Sequence, residues 1–254
     1  MANGNESNSS SNGEGGRARI KTGIAGLDSM LYGGIPEMSQ FIIAGGPGAG
    51  KTLLSFDILY RNAKKGVPCA FIALEEKPED VIKNAKAAFP DYTDIDALIQ
   101  SNMLVVDGDD PATRISEQED SETYSFGNIM SDIEAIAKMN NAKLVAIDSF
   151  SVLRMLIGDN LKYRKSILAM ITNMKRLGIT SIITTEIKSS ERKDIKFGIE
   201  SFVFDGIITL YQNGQEDKRT LTLEIIKTRG TAHSWTLSPY DITPQGFRVF
   251  SLEQ

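Results

Sequence analysis

The stretch GGPGAGKT, from Gly45 to Thr52, constrains this chain more than any other. It satisfies the pattern G-x-x-x-x-G-K-[ST], follows the apolar run FIIA and precedes the helix-like run LLSFDIL. Strand, glycine-rich loop and helix in that order make a phosphate cradle. The glycines let backbone N–H groups wrap an anion at a helix N-terminus, where partial positive charge already gathers. Lys51 can reach the β and γ oxygens of a nucleotide, and the Thr52 hydroxyl can ligate Mg²⁺. Gly46, Pro47, Gly48, Ala49, Gly50 and Leu53 complete the expected nucleotide-binding set.

A strand of this kind needs a sheet around it. QFIIA, CAFIAL, MLVVD, KLVAID and SIITTE are short apolar runs rich in Val and Ile. Unbroken runs of that length suit strands covered on both faces, as in a parallel sheet. Helices are predicted at Leu53–Lys65, Pro78–Ala88, Phe126–Met139 and Lys162–Leu177, with Pro78 in a first turn and Gly66 and Gly178 at helix ends. After Asp205 the pattern changes: GIITLYQ and RTLTLEIIK flank the polar NGQED, an antiparallel hairpin, and TLSPYDITPQGFRVF adds a further β element turning at Pro244 and Gly246. The expected fold is α/β, a mostly parallel sheet flanked by helices with an antiparallel C-terminal hairpin.

With 254 residues, 41% of them hydrophobic, the chain can bury one substantial core. One domain is expected over 17–254, preceded by a disordered Ser/Asn/Gly-rich tail over 1–16. A net charge of −5 excludes a global positive field for nucleic acid or an anionic membrane. Cys69 is the single cysteine and His233 the single histidine, which excludes an intrachain disulfide framework and any multi-cysteine metal site. No apolar run approaches the roughly 18 to 20 residues of a spanning helix, and the amino terminus has no secretory pattern. A soluble, cytoplasmic protein without membrane insertion is expected.

A phosphate loop that serves hydrolysis needs acids at neighbouring strand ends. KLVAIDS supplies Asp148 for the metal's surroundings, and FIALEEKPED supplies Glu75 and Glu76 to orient and deprotonate water. Successive strand residues point oppositely, so one glutamate faces the nucleotide; Glu76 is slightly favoured, with both retained.

Taken together, KTGIAGLDSMLYGGIPE, GGPGAGKT, ALEEKPED, AIDSFSVL, TTE and KTRGTAHSWTLSPYDITPQGF resemble the KaiC-like family of the RecA-superfamily ATPases, over about Lys21 to Phe250. The resemblance implies a RecA-like core, ATP with Mg²⁺, and homo-oligomeric rings, commonly hexameric, with catalytic sites between subunits. It assigns Glu75 and Glu76 as hydrolytic acids and Lys227 and Arg229 as fingers reaching the neighbour's γ-phosphate, with His233 lining the same interface. Glu186, closing a strand after Thr184 and Thr185, stands where such enzymes sense the γ-phosphate.

The chain also departs from the family's pattern. A single KaiC-like domain is present, Met38 stands where many relatives have Gly, and Ala49 replaces a common Thr. In the region resembling the family's paired Ser-Thr autophosphorylation site, Ser201 is followed by Phe202, which has no hydroxyl, so autokinase activity stays open.

The leading function is a ring-forming ATPase with a regulatory or signalling output through an unknown protein partner. Two alternatives remain. One is a DNA-dependent recombination accessory protein, using Lys188, Arg192, Lys193 and Lys196 in the loop IKSSERKDIKFG, which also carries Glu191 and Asp194 and no aromatic platform before Phe197. The other is a nonhydrolysing nucleotide-gated scaffold, against which both glutamates and both finger residues argue.

Overall fold

In a computed structural model the chain enters through a small antiparallel ribbon, β1 (Arg19–Ile20) with β2 (Ile35–Pro36), bracketing helix α1 (Ala25–Met30). The structure describes residues 17–108, 126–151, 154, 157, 159–187, 192, 198, 200–215 and 218–251. The expected tail lies outside these residues, as do Lys188, Glu191, Lys193, Asp194, Lys196, Phe197 and the side chain of Ser201.

The main sheet is built from β3 (Gln40–Gly45), β4 (Cys69–Ala73), β5 (Leu104–Asp107), β6 (Leu144–Asp148), β7 (Thr180–Glu186), β8 (Gly206–Gln215), β9 (Lys218–Thr228), β10 (Ser238–Thr243) and β11 (Gly246–Val249). Among the described residues the spatial order is β11-β10-β9-β8-β3-β7-β6-β4-β5. β3 to β8 run parallel, and β9, β10 and β11 continue the sheet antiparallel. This is the mostly parallel sheet with an antiparallel C-terminal edge that the sequence predicts.

Helices cover both faces: α2 (Lys51–Ala63), α3 (Pro78–Ala88), α4 (Ile95–Gln100), α5 (Phe126–Met139), α6 (Asn160–Arg176) and the short α7 (Glu200–Val203). The central strands read as unbroken apolar runs because alternate residues enter two different cores. Phe41 and Ile43 of β3, and Leu144 and Ala146 of β6, face the core shared with α2 to α4. Ile42, Ala44, Val145 and Ile147 face the core shared with α5 and α6.

Two helices begin earlier than their apolar periodicity indicates. α2 opens at Lys51, directly after Gly50 in a left-handed conformation at φ +85°, so the Lys-Thr pair of the phosphate loop is its first turn. α6 opens at Asn160 because the Asp159 carboxylate accepts from the Lys162 N–H at 2.7 Å.

The β10–β11 hairpin is tied to α2 by a buried carboxylate. Asp57 accepts from Arg61 Nε at 2.6 Å, the Tyr92 hydroxyl at 2.5 Å and the Phe247 N–H at 2.7 Å. Arg61 reaches on to the carbonyls of Gly23 and Gln245. Asp57→Ala strands these donors in the interior, so a loss of about 3 kcal/mol in unfolding free energy is expected, measured by urea titration. A change within experimental error would show that the knot does not hold the hairpin.

Candidate functional site

The phosphate loop leaves the carboxyl end of β3 and feeds the N-terminus of α2. Gly48 and Gly50 adopt φ of +75° and +85°, which side-chain-bearing residues rarely reach. Lys51 is buried, and its Nζ donates to the Gly46 carbonyl at 3.1 Å. Burial lowers its pKa, and the negative charges of Glu186, Asp148 and Glu75 oppose that shift. Three predicted acids therefore act on the predicted lysine.

Each acid comes from the carboxyl end of a neighbouring parallel strand. Glu186 ends β7 in register with Gly45. Asp148 ends β6, is buried, and accepts a hydrogen bond from the Thr184 hydroxyl. Glu75 lies just beyond β4 and accepts from the hydroxyl of the buried Ser149. Much of the Glu75 surface is open to solvent, yet partial burial of its carboxyl raises the pKa; Ser149 opposes the rise and the charges of Asp148 and Glu186 add to it.

Glu76 is exposed and turns the other way, accepting from Asn84 Nδ2 at 3.0 Å. Both lie in the bend beyond the end of β4, and their partners differ: Glu75 is bonded to Ser149, next to Asp148, and Glu76 to Asn84 on α3. Ser149 and Thr184, which donate to Glu75 and Asp148, stand inside the stretches AIDSFSVL and TTE, but nothing in those stretches says which acid each hydroxyl meets.

The donor set suits Mg²⁺. The partly exposed Thr52 hydroxyl and the Asp148 carboxylate are hard oxygens, and Mg²⁺ typically takes one or two protein groups with phosphate oxygens and water. Among the described residues no group of three His, Cys, Asp or Glu side chains could hold a metal alone.

Lys227 and Arg229 lie elsewhere. Lys227 pairs with Ile207, and the Arg229 N–H donates to the Asp205 carbonyl at 2.7 Å, at the start of β8. β8 starts beside Phe41, whereas the phosphate loop departs after Gly45, beside Leu210. At ~3.3 Å per residue that places Arg229 roughly 15 Å along the sheet from its own loop.

The carboxyl end of the short helix α7 holds both cations: Lys227 Nζ donates to the Phe204 carbonyl at 2.7 Å, and the Arg229 guanidinium donates to the Phe202 carbonyl. Burial and the nearby Arg229 charge lower the Lys227 pKa. His233 is buried against Trp235, their ring centroids 4.6 Å apart, while Trp235 and Phe202 are 77% and 69% exposed. Phe202, whose carbonyl takes Arg229, lies on α7, and Trp235 lies two residues beyond His233.

Arg192, the one described cation of the loop after β7, makes a two-pronged ion pair with the buried Glu224, at 2.9 and 2.6 Å. Among the described residues no helix is long and apolar enough to cross a membrane.

A phosphate loop at the carboxyl end of a central parallel strand, with acids on the adjoining strand ends, defines a P-loop nucleotide-binding protein with a RecA-like α/β core. The chain belongs to the KaiC family of ATPases: the family model for the KaiC ATPase matches residues 20–254. It is 32% identical over 250 residues to the circadian clock oscillator protein KaiC of a Picosynechococcus species, an alignment covering 98% of this chain and 48% of the relative. The chain thus spans about half the length of the clock proteins it matches. A UPF0273 protein of Aeropyrum pernix is 32% identical over 238 residues, covering 91% of this chain and 93% of that one. A crystal structure of a KaiC-like protein from Pyrococcus horikoshii superposes with a TM-score of 0.77 at 28% identity, covering 92% of this chain and all of the other.

Proposed function

We propose that this chain hydrolyses ATP with Mg²⁺ as a ring-forming, cytoplasmic ATPase, commonly hexameric, whose nucleotide state is read by a regulatory protein partner. One observation carries the reading: Lys51 and three carboxylates gather at one end of the sheet, while Lys227 and Arg229 stand at the other. A ring that sets one subunit's finger end against the next subunit's loop end makes a complete site. Lys51, Thr52 and Asp148 hold the nucleotide and its metal. The metal supplies charge neutralisation on the phosphate oxygens. Glu75 orients and deprotonates water, Glu186 senses the γ-phosphate, and Lys227 and Arg229 offset charge in the neighbour's site. The exposed Trp235 and Phe202 fit a surface that assembly covers, with His233 already buried against Trp235.

Native mass determination with and without Mg-ATP, coupled to phosphate release, tests assembly and catalysis together. A ring that releases phosphate is expected; an active monomer would sink the shared-site reading, and a ring without release would favour the scaffold. Lys51→Ala removes the principal cation, and Mg-ATP binding is expected to weaken roughly tenfold to a hundredfold by calorimetric titration. Near-normal affinity would remove the phosphate-loop assignment. The DNA reading is not favoured, because Arg192 is engaged with Glu224; turnover stimulated by single-stranded DNA and lost steeply with salt would restore it.

A further inference from the structure

Side chains outside the phosphate-loop motif hold the loop's carbonyls from behind. Gln212 on β8 donates to the Pro47 carbonyl at 3.2 Å, and the Tyr240 hydroxyl on β10 donates to the Ala49 carbonyl at 2.6 Å. Tyr240 is 1% exposed, and its ring stacks on Phe247 of β11 with centroids 5.6 Å apart. The hairpin lies directly against the turn: a Cβ on Gly50 would come within 2.9 Å of Ile242 and 3.0 Å of Phe247.

In a trans peptide the C=O and N–H point in opposite directions. A hydroxyl drawing the Ala49 carbonyl toward the hairpin therefore turns the Gly50 N–H toward the loop's other face. We propose that Tyr240 is a positioning residue for the phosphate cradle, its hydroxyl fixing the Ala49–Gly50 peptide so that the Gly50 N–H donates to a nucleotide phosphate oxygen. Burial raises the phenol's pKa, so the hydroxyl remains a donor at any working pH. The inference rests on the nucleotide-binding reading and extends it to a residue far along the chain. A glycine-rich loop is free to turn its peptides, and an outside anchor removes that freedom before the ligand arrives.

The test compares Tyr240→Phe, which deletes the hydroxyl and keeps the ring, with Tyr92→Phe, which loosens the same hairpin at its turn, where the Tyr92 hydroxyl donates to the Gln245 carbonyl at 3.0 Å. Mg-ADP and inorganic pyrophosphate are titrated calorimetrically into each full-length variant, and thermal unfolding is recorded without ligand. Tyr240→Phe is expected to bind both ligands about fivefold more weakly, which is about 1 kcal/mol. Tyr92→Phe is expected to lower the unfolding temperature and keep wild-type affinity. Wild-type affinity in Tyr240→Phe, an equal loss in Tyr92→Phe, or a loss for Mg-ADP without one for pyrophosphate overturns the assignment. Wild-type protein that binds neither ligand overturns the nucleotide reading itself, and this inference with it.

Discussion

Arg229→Ala is expected to lower ATP turnover by ~10³ to 10⁵, the range by which arginine fingers act in phosphoryl transfer, while leaving nucleotide binding by an isolated subunit intact. Binding should survive because Arg229 sits at the start of β8, away from its own loop, and because its backbone N–H still has the Asp205 carbonyl. The loss should be large because a guanidinium aimed at developing phosphoryl charge in a dry interface meets little screening. Mixing the variant with Lys51→Ala tests the direction of action. Arg229→Ala subunits keep working loops and Lys51→Ala subunits keep working fingers, so mixed rings can form some complete sites. Partial recovery of phosphate release is expected once subunit exchange is demonstrated. Exchange without recovery would remove the action across subunits, and full activity in Arg229→Ala alone would remove the finger role.

The parts of this molecule legible in the sequence are those whose cause is local. The phosphate loop is contiguous, and its glycines need their unusual backbone whatever surrounds them. The buried strands could be read because both cores draw on them, leaving runs with no polar interruption. α4 and the β1–β2 ribbon escaped because six residues or two are too few to establish a period. The side chains that tune the site escaped for a different reason. Ser149 meets Glu75 across 74 residues of chain, and Tyr240 meets Ala49 across 191, so only the folded sheet brings them together. The choice between Glu75 and Glu76 depends on how the chain leaves β4, where the strand's alternation ends and its phase is set by the turn.

Glu75→Gln follows from that phase, and it is expected to slow ATP turnover by ~10² to 10⁴ while Mg-ATP still binds. Glutamine keeps the volume and an oxygen that can accept from the Ser149 hydroxyl, so the local arrangement should persist. What it lacks is basicity, and a water near the γ-phosphate then has no carboxylate to take its proton. The site already favours Glu75 for this work, since partial burial and the charges of Asp148 and Glu186 raise its pKa above that of an ordinary solvated carboxylate. Glu76→Gln is the matched comparison: its carboxylate faces Asn84 on α3, and turnover should stay within a few-fold of wild type. Phosphate release under saturating Mg-ATP, with nucleotide affinity measured separately, distinguishes the two. A collapse of turnover in Glu76→Gln with Glu75→Gln nearly normal would show that the chain leaving β4 rearranges when the ring closes, and would return the base to Glu76.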